Sequence, residues 1–338
     1  MSRCARPWLL PLVPPYAAAA AIAARCKLQR RLTWPVISIG NLSTGGSGKT
    51  PLTMELARLL NQAGVGVDIL SRGYGRRSSH PAQVNPLGSA QEFGDEPLLL
   101  ARQTGLPVYV APRRYDAGLL AENTAQATPP NFRLHILDDG MQHRQLHRNL
   151  EIVLVNQRDW QDCLLPAGNL RESRRALRRA DVIAIPDHDT PLEAALLACG
   201  FSARIWRLSR HMQVASAIEG SGNAVAAFCG IAHPGPFFEG ISAAGADLRA
   251  TFAFPDHHSY SPAELQRIQA AAIKAGARVL LTTAKDLARL GSLRQAIERH
   301  LPVRPVQLTC EIQNSQAELD WLIDKLMPSA NSHTQSRA

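Results

Sequence analysis

The stretch Trp34–Pro51, W-P-V-I-S-I-G-N-L-S-T-G-G-S-G-K-T-P, constrains this chain more than any other. Val36 to Ile39 is a short β-branched run between Pro35 and Gly40, long enough for one buried strand. Gly45-Gly46-Ser47-Gly48-Lys49-Thr50 follows, and Leu52 to Leu60 then carries apolar residues at helical spacing up to Gly64. Strand, glycine-rich loop and helix, in that order, form the setting of a phosphate-binding loop. The glycines let backbone N–H groups turn inward around phosphate oxygens, and the helix N-terminus adds partial positive charge. Ser43, Thr44, Gly45, Gly46, Ser47, Gly48, Lys49 and Thr50 are therefore the expected nucleotide-binding residues. Lys49 would reach the β/γ-phosphates and the Thr50 hydroxyl would hold Mg²⁺. The chain departs from G-x-x-x-x-G-K-[ST] at its first glycine, where Ser43 stands.

Such a loop implies an α/β fold, and further apolar runs supply the rest of a mostly parallel sheet: Val65–Leu70, Pro107–Ala111, Leu134–Asp139, Glu151–Val155 and Asp181–Ile185. With 338 residues the chain exceeds one ordinary core, so a second, smaller α/β domain is expected. Its strands read as 224–229, 248–254, 278–282 and 303–308. The strand–helix rhythm lapses around Gly220-Ser221-Gly222, which places a hinge at 208–223. The resulting division is an N-terminal segment 1–33, a nucleotide domain 34–207, the hinge, a smaller domain 224–328 and a disordered tail 329–338. The six cysteines form no C-x-x-C pair and no metal-ligand spacing, which fits small core or surface thiols in a reducing compartment.

Three clusters carry the chemistry. Gly94-Asp95-Glu96-Pro97 opens a helix; its acids are ordinary capping residues in one reading, and in the other Asp95 is a general base accepting a hydroxyl proton. Leu134–Asp139 ends in paired carboxylates, and an apolar strand ending in Asp beside a Gly-Lys-Thr loop places Asp138 and Asp139 near Mg²⁺. Phe254-Pro255-Asp256-His257-His258 joins a strand to a helix in the smaller domain, from which His257 could cross the cleft to orient the base. Ser71-Arg72-Gly73-Tyr74-Gly75-Arg76 lies where open α/β sheets bind ligands, although its pattern alone reads slightly better as a plain surface turn. Lys285 of Thr282-Thr283-Ala284-Lys285-Asp286 could pair with Asp286 or a phosphate.

The formal charge of +9 calls for an anionic partner. Arg171, Arg174, Arg175, Arg178 and Arg179 would share one face of a helix, and no nucleic-acid motif accompanies them. Pro7 to Ala24 is uncharged and flanked by basic residues. It is too broken by proline to span a bilayer; an interfacial helix and a helix packed on its own domain fit it equally, and a cleaved signal peptide fits less well because the nucleotide strand begins almost at once.

Together these motifs resemble the tetraacyldisaccharide 4'-kinase family, the lipid A kinases of Gram-negative bacteria. The resemblance runs to about residue 327 and rests on S-I-G-N-L-S-T-G-G-S-G-K-T-P, S-R-G-Y-G-R, G-D-E-P, L-D-D-G-M-Q-H, L-P-A-G-N-L-R-E, F-P-D-H-H-S-Y and T-T-A-K-D. Ala284 and Met141 stand where the family pattern has Glu and Phe. The resemblance implies ATP-dependent phosphorylation of the 4'-hydroxyl of an acylated glucosamine disaccharide 1-phosphate at the cytoplasmic face of the inner membrane. It also implies Asp95 as base with His257, Mg²⁺ near Asp138 and Asp139, and Arg72, Arg171 and Glu172 near the lipid substrate. By it, the N-terminal segment and the arginines meet an anionic membrane surface, with neither nucleic acid nor an obligate protein partner. A P-loop switch or metallochaperone is the alternative; it lacks both Cys/His ligand spacing and a guanine-specifying N-K-x-D.

Overall fold

The computed structural model describes residues 4–25, 28–46, 48–125, 132–220, 222–291 and 293–327. The expected tail at 329–338 lies outside them. The strands are β1 (Val36–Asn41), β2 (Gly66–Ser71), β3 (Ala82–Gln83), β4 (Val108–Val110), β5 (Arg133–Asp138), β6 (Leu150–Leu154), β7 (Val182–Pro186), β8 (Arg204–Gln213), β9 (Ala224–Cys229), β10 (Asp247–Ala253), β11 (Val279–Thr283) and β12 (Val303–Ile312). They form one 12-stranded sheet in the order β10-β9-β11-β12-β8-β7-β6-β1-β5-β2-β4-β3. Its pairs are parallel except β12 with β8 and β3 with β4. This is the mixed, mostly parallel α/β architecture expected of the sequence.

The central strand β1 is buried at all six positions because helices cover both faces. Its register with β5 sets Ile39 opposite Asp138. The glycine-rich loop and the paired carboxylates therefore leave the sheet at the same edge. Helix Lys49–Gln62 seals one face with Leu52, Leu56, Ala57 and Leu60, spaced to fall on a single stripe. Ile37, Ile39, Ile136 and Ile152 receive them.

The expected linker begins instead as strand. Residues 208–213 complete β8, which runs parallel to β7 and antiparallel to the second half of β12. Only Trp206 and Leu208 of β8 are fully buried, and its remaining positions are polar or half-exposed. That mixed pattern hides the strand in the sequence. β12 belongs to both parts of the sheet: residues 303–306 pair with β11, and residues 307–312 pair with β8.

At the N-terminus, a 3₁₀ helix (Pro7–Leu12) leads into helix Val13–Arg25, whose prolines 14 and 15 sit in the first turn where missing N–H groups cost little. The segment folds over residues 162–171. The backbone N–H of Arg6 donates to the Ala167 carbonyl at 2.8 Å, and its guanidinium donates to the Gly168 carbonyl at 3.1 Å. This brings the Cα atoms of Cys4 and Cys163 to 5.2 Å, and their sulfurs are bonded. The expectation of free thiols fails for this pair, because the fold joins positions 159 residues apart that spacing could not relate. Trp8, Leu12, Ile22 and Leu28 remain exposed. No helix among the described residues is long and apolar enough to cross a membrane.

A buried charged cluster under β5 gives the fold a pH dependence. His135 is fully buried, with Nδ1 2.6 Å from Asp68 Oδ1 and Nε2 3.5 Å from Glu122 Oε1. Burial pushes the imidazole pKa down, but Asp68 and Glu122 outweigh it and carry it up to about 9. A folded-state pKa above the ordinary 6.5 means that this stabilisation is complete below about pH 6.5 and is lost as pH rises through about 9. Thermal midpoints are expected to fall across that window, and to fall less steeply in His135→Gln. Parallel declines in both proteins would remove His135 as the cause.

Candidate active site

The loop between β1 and helix Lys49–Gln62 needs glycine at two positions, since Gly45 has φ +118° and Gly48 has φ +85°. A Cβ on Gly48 would also stand 2.5 Å from Arg210 Cζ, so the guanidinium from β8 packs directly against the loop backbone. Ser47 lies outside the described residues. The loop rests on the 162–171 segment: the Thr44 N–H donates to the Asn169 carbonyl at 2.8 Å, and Arg171 Nε donates to the Ser43 carbonyl at 3.0 Å.

Asn41 organises this corner, and sequence reasoning missed it. Its Oδ1 accepts from Lys49 Nζ at 2.9 Å and Arg171 Nη2 at 3.0 Å, while its Nδ2 donates to the Ser43 carbonyl and hydroxyl. The one signal available was a polar amide ending an otherwise apolar strand, which reads equally well as a turn residue.

Asp138 and Asp139 share the strand end but not the same surroundings. Asp139, with φ +48°, turns outward and pairs with Lys49 Nζ at 3.4 Å and Arg171 Nη2 at 3.2 Å. Burial raises its pKa, but the two cations hold it below the ordinary carboxylate value. Asp138 is 2% exposed and accepts from the Thr53 hydroxyl at 3.3 Å. Burial, then the charges of Glu96 and Asp139, push its pKa up to about 7. Asp138, poorly compensated where it is buried, its neighbour Asp139 and the Thr50 hydroxyl of the first helical turn are hard oxygen donors of the kind a divalent cation takes. Among the described residues no cluster of three or more His, Cys, Asp or Glu suggests another metal.

The expected arginine stripe is not one face. Residues 174–179 form a 3₁₀ helix that excludes Arg171, so the α-helical spacing does not apply. Arg171 turns into the loop, Arg174 stacks on Trp160 at 5.2 Å, and Arg179 donates to Glu172 Oε2 at 3.0 Å. Arg175 and Arg178 remain exposed. Glu172 is held by Arg144 at 2.6 Å as well as by Arg179, and no bond joins it to the Asp139 pair. Arg72 is exposed on the rim of a cavity of about 270 Å³ formed by residues 72–79 and Pro112. Arg114 is nearly buried, and burial followed by the Arg72 charge lowers its pKa to about 10.

Asp95 is the first residue of helix Asp95–Thr104, after Gly94 at φ +92°. Asp95 Oδ1 accepts from the Glu96 N–H at 3.0 Å, and its Oδ2 lies 3.1 Å from His257 Nδ1. His257 reaches it from a turn after β10, at φ +59°, with the Tyr74 ring 5.6 Å from its own. The expected pair is thus brought together from opposite parts of the sheet. A third member was not expected. Arg289 donates to Asp95 Oδ2 through Nε at 2.8 Å and Nη2 at 2.6 Å. Lys285, four residues earlier on helix Ala284–Leu290, pairs with Glu96 rather than with Asp286. Asp286 instead accepts from Tyr260, Thr283 and Arg289. The two clusters are linked through charge: Glu96 raises the Asp138 pKa and Lys285 lowers it.

The arrangement offers a phosphate-binding loop with a lysine at its root, oxygen donors of the kind a metal takes, and a carboxylate–imidazole pair. Comparison with known proteins agrees. The family model described as tetraacyldisaccharide-1-P 4'-kinase matches residues 5–327. A tetraacyldisaccharide 4'-kinase of Koribacter versatilis is 40% identical over 302 residues, covering 87% of this chain and 90% of the relative. One from Chromobacterium violaceum is 36% identical over 328 residues, covering 90% and 91%. Among solved structures, LpxK from Aquifex aeolicus in complex with ATP is similar at 31% identity and a TM-score of 0.73, covering 94% of this chain and 98% of that one.

Proposed function

The chain belongs to the tetraacyldisaccharide-1-P 4'-kinase family, and from that membership, with its ATP-dependent 4'-phosphorylation in lipid A biosynthesis, we propose how its residues divide the work. The Asp95–His257 contact at 3.1 Å is the observation that carries the reading. Asp95 aligns the sugar 4'-hydroxyl and accepts its proton late in transfer, and His257 orients the carboxylate and shares that proton. Phosphoryl transfer otherwise asks for positioning and charge neutralisation. Lys49 and the amides of Gly45, Gly46 and Gly48 to Thr50 hold the β/γ-phosphates, while the Thr44 N–H anchors the loop to the Asn169 carbonyl. Thr50, Asp138 and Asp139 are the residues that would hold Mg²⁺, which when bound neutralises charge on those phosphates. Arg171 keeps Asp139 and the loop in register through its bonds to both. Arg72, on the open rim, is suited to the anionic part of the lipid acceptor.

The exposed Trp8, Leu12, Ile22 and Leu28 support docking of residues 1–33 on the anionic cytoplasmic leaflet as a peripheral contact. The test is ATP-dependent transfer to a tetraacylated glucosamine disaccharide 1-phosphate, presented either in detergent or in phosphatidylglycerol vesicles. A bisphosphorylated lipid is expected in both. A Trp8→Ser/Leu12→Ser variant should raise KM for the acceptor only on vesicles; an equal effect in detergent would argue against docking. ATP hydrolysis with no transfer in either format would return the chain to a switch or metallochaperone.

A further inference from the structure

We propose that Arg289 is a positioning residue for transfer: from the smaller part of the sheet, it fixes the Asp95 carboxylate and the His257 ring in the geometry that takes the acceptor proton. The inference rests on the reading of Asp95 as base.

The geometry is specific. Asp95 Oδ2 receives two guanidinium bonds, at 2.8 and 2.6 Å, and the remaining guanidinium nitrogen, Nη1, donates to the Gly230 carbonyl at 2.7 Å and to Asp286 Oδ1 at 2.9 Å. Arg289 is therefore not a loose surface cation; its side chain is 8% exposed and gripped from both ends. Asp286 is fully buried and is itself fixed by the Tyr260 hydroxyl at 3.0 Å and the Thr283 hydroxyl at 2.6 Å. Thr283 also caps the helix that carries Arg289. The chain of contacts runs from a buried carboxylate through a planar, five-donor group to the base, and a planar fork transmits orientation where a lysine would supply only charge.

His257 explains why the third member sits where it does. Arg289 Nη2 is 3.2 Å from the same Nδ1 that lies 3.1 Å from Asp95. When Nδ1 carries no proton it accepts from Arg289, and when it carries one it donates to Asp95. The ring thus keeps a partner in either state while a proton is shared between imidazole and carboxylate. The charged groups facing Asp95 are Glu96 on its own helix, Lys285, Asp286 and Arg289 on helix Ala284–Leu290, and Asp256 and His257 on the turn after β10. Burial raises the Asp95 pKa, but Arg289, then His257 and Lys285, outweigh it and hold it below the ordinary carboxylate value.

The experiment is a double-mutant comparison of Arg289→Met, Asp95→Asn and the double variant, scoring kcat and KM for ATP in the transfer assay. Arg289→Met should lower kcat by about 10- to 100-fold, as expected for a misplaced reacting group, with KM for ATP unchanged and the acid limb of kcat/KM moved to higher pH. In the Asp95→Asn background the same substitution should add little, because Arg289 acts through Asp95. Arg289→Lys, which keeps the charge for Asp286, should recover only part of the loss, and it carries the test alone if Arg289→Met does not fold. An Arg289 variant within about twofold of wild-type kcat, or an equal penalty with and without Asp95, overturns the inference while leaving the base reading intact. An Asp95→Asn enzyme with normal kcat overturns both.

Discussion

Asp95→Asn is expected to lower kcat by about 10³-fold while KM for ATP stays within about twofold, the loss typical of removing a general base. The reasoning begins with what asparagine keeps and what it cannot keep. Its size matches, so the helix start and the Pro97 first turn stay in place. Its chemistry does not match. Asp95 Oδ2 accepts from Arg289 Nε and Nη2 and faces His257 Nδ1, while Oδ1 accepts from the Glu96 N–H. An amide has one acceptor oxygen, so its NH₂ must point either at the guanidinium or at the backbone N–H. Either orientation sets donor against donor, and about 1–3 kcal/mol of stability should be lost with it. The kinetic loss is separate from this, because an amide has no capacity to accept the hydroxyl proton at any working pH. In the wild type, by contrast, Arg289 and its neighbours keep Asp95 ionised below the ordinary carboxylate range. The base side of the pH profile should therefore persist to lower pH than a free aspartate allows. Steady-state kinetics beside a thermal melt separate the two effects. A variant that melts lower but transfers phosphate at the wild-type rate would reduce Asp95 to a capping residue.

The sequence disclosed some parts of this site and concealed others for identifiable reasons. A Gly-Lys-Thr loop after a β-branched run is local, so strand, loop and helix were legible, as was the strand end at Asp138–Asp139. β8 was not legible, because it lies between one parallel and one antiparallel neighbour with most of its side chains only partly covered. The arginine run misled for a similar reason. An α-helical period puts them on one face, whereas residues 174–179 are 3₁₀, with Arg174 on Trp160, Arg179 on Glu172, and Arg175 and Arg178 exposed. Arg289 was invisible in another sense. It sits 194 residues from Asp95, on a helix that follows β11 in the part of the sheet joined to the rest through β12. A pattern could have hinted at it: Lys285 and Arg289 are four apart on one helix, matching the adjacent acids Asp95 and Glu96. Nothing local says that these two pairs meet. Cys4 and Cys163 were likewise separated by a distance that composition cannot bridge.

Lys49→Ala should produce a different signature from the one at Asp95, losing about 10³-fold in kcat and weakening ATP binding by about tenfold as well. In the structure Lys49 donates to Asn41 Oδ1 at 2.9 Å and pairs with Asp139 at 3.4 Å. Both contacts lie at the root of the loop, within a side chain's swing of where phosphate oxygens would enter. In meeting them Lys49 would loosen its 3.4 Å pairing with Asp139, which keeps Arg171 at 3.2 Å and is one of the residues that would hold Mg²⁺. Lys49 would then be worth more in the transition state than in the resting protein, since charge grows on the β/γ-bridging oxygen during transfer. Alanine removes that gain but leaves the resting fold nearly intact. Asp139 keeps Arg171, Asn41 keeps Arg171 and Ser43, and the helix gains a residue of higher propensity at its start. The thermal midpoint without nucleotide should therefore hardly move. The rise produced by saturating ATP should shrink by the equivalent of about 1.4 kcal/mol, following a tenfold weaker Kd. Lys49→Arg should not restore the rate, because a broad fork cannot occupy the place of a compact ammonium between Asn41 and Asp139. A Lys49→Ala enzyme that loses ATP-induced stabilisation but keeps its kcat would assign the residue to binding alone, and the developing charge would then have to be met by Arg171, Arg210 and the loop amides.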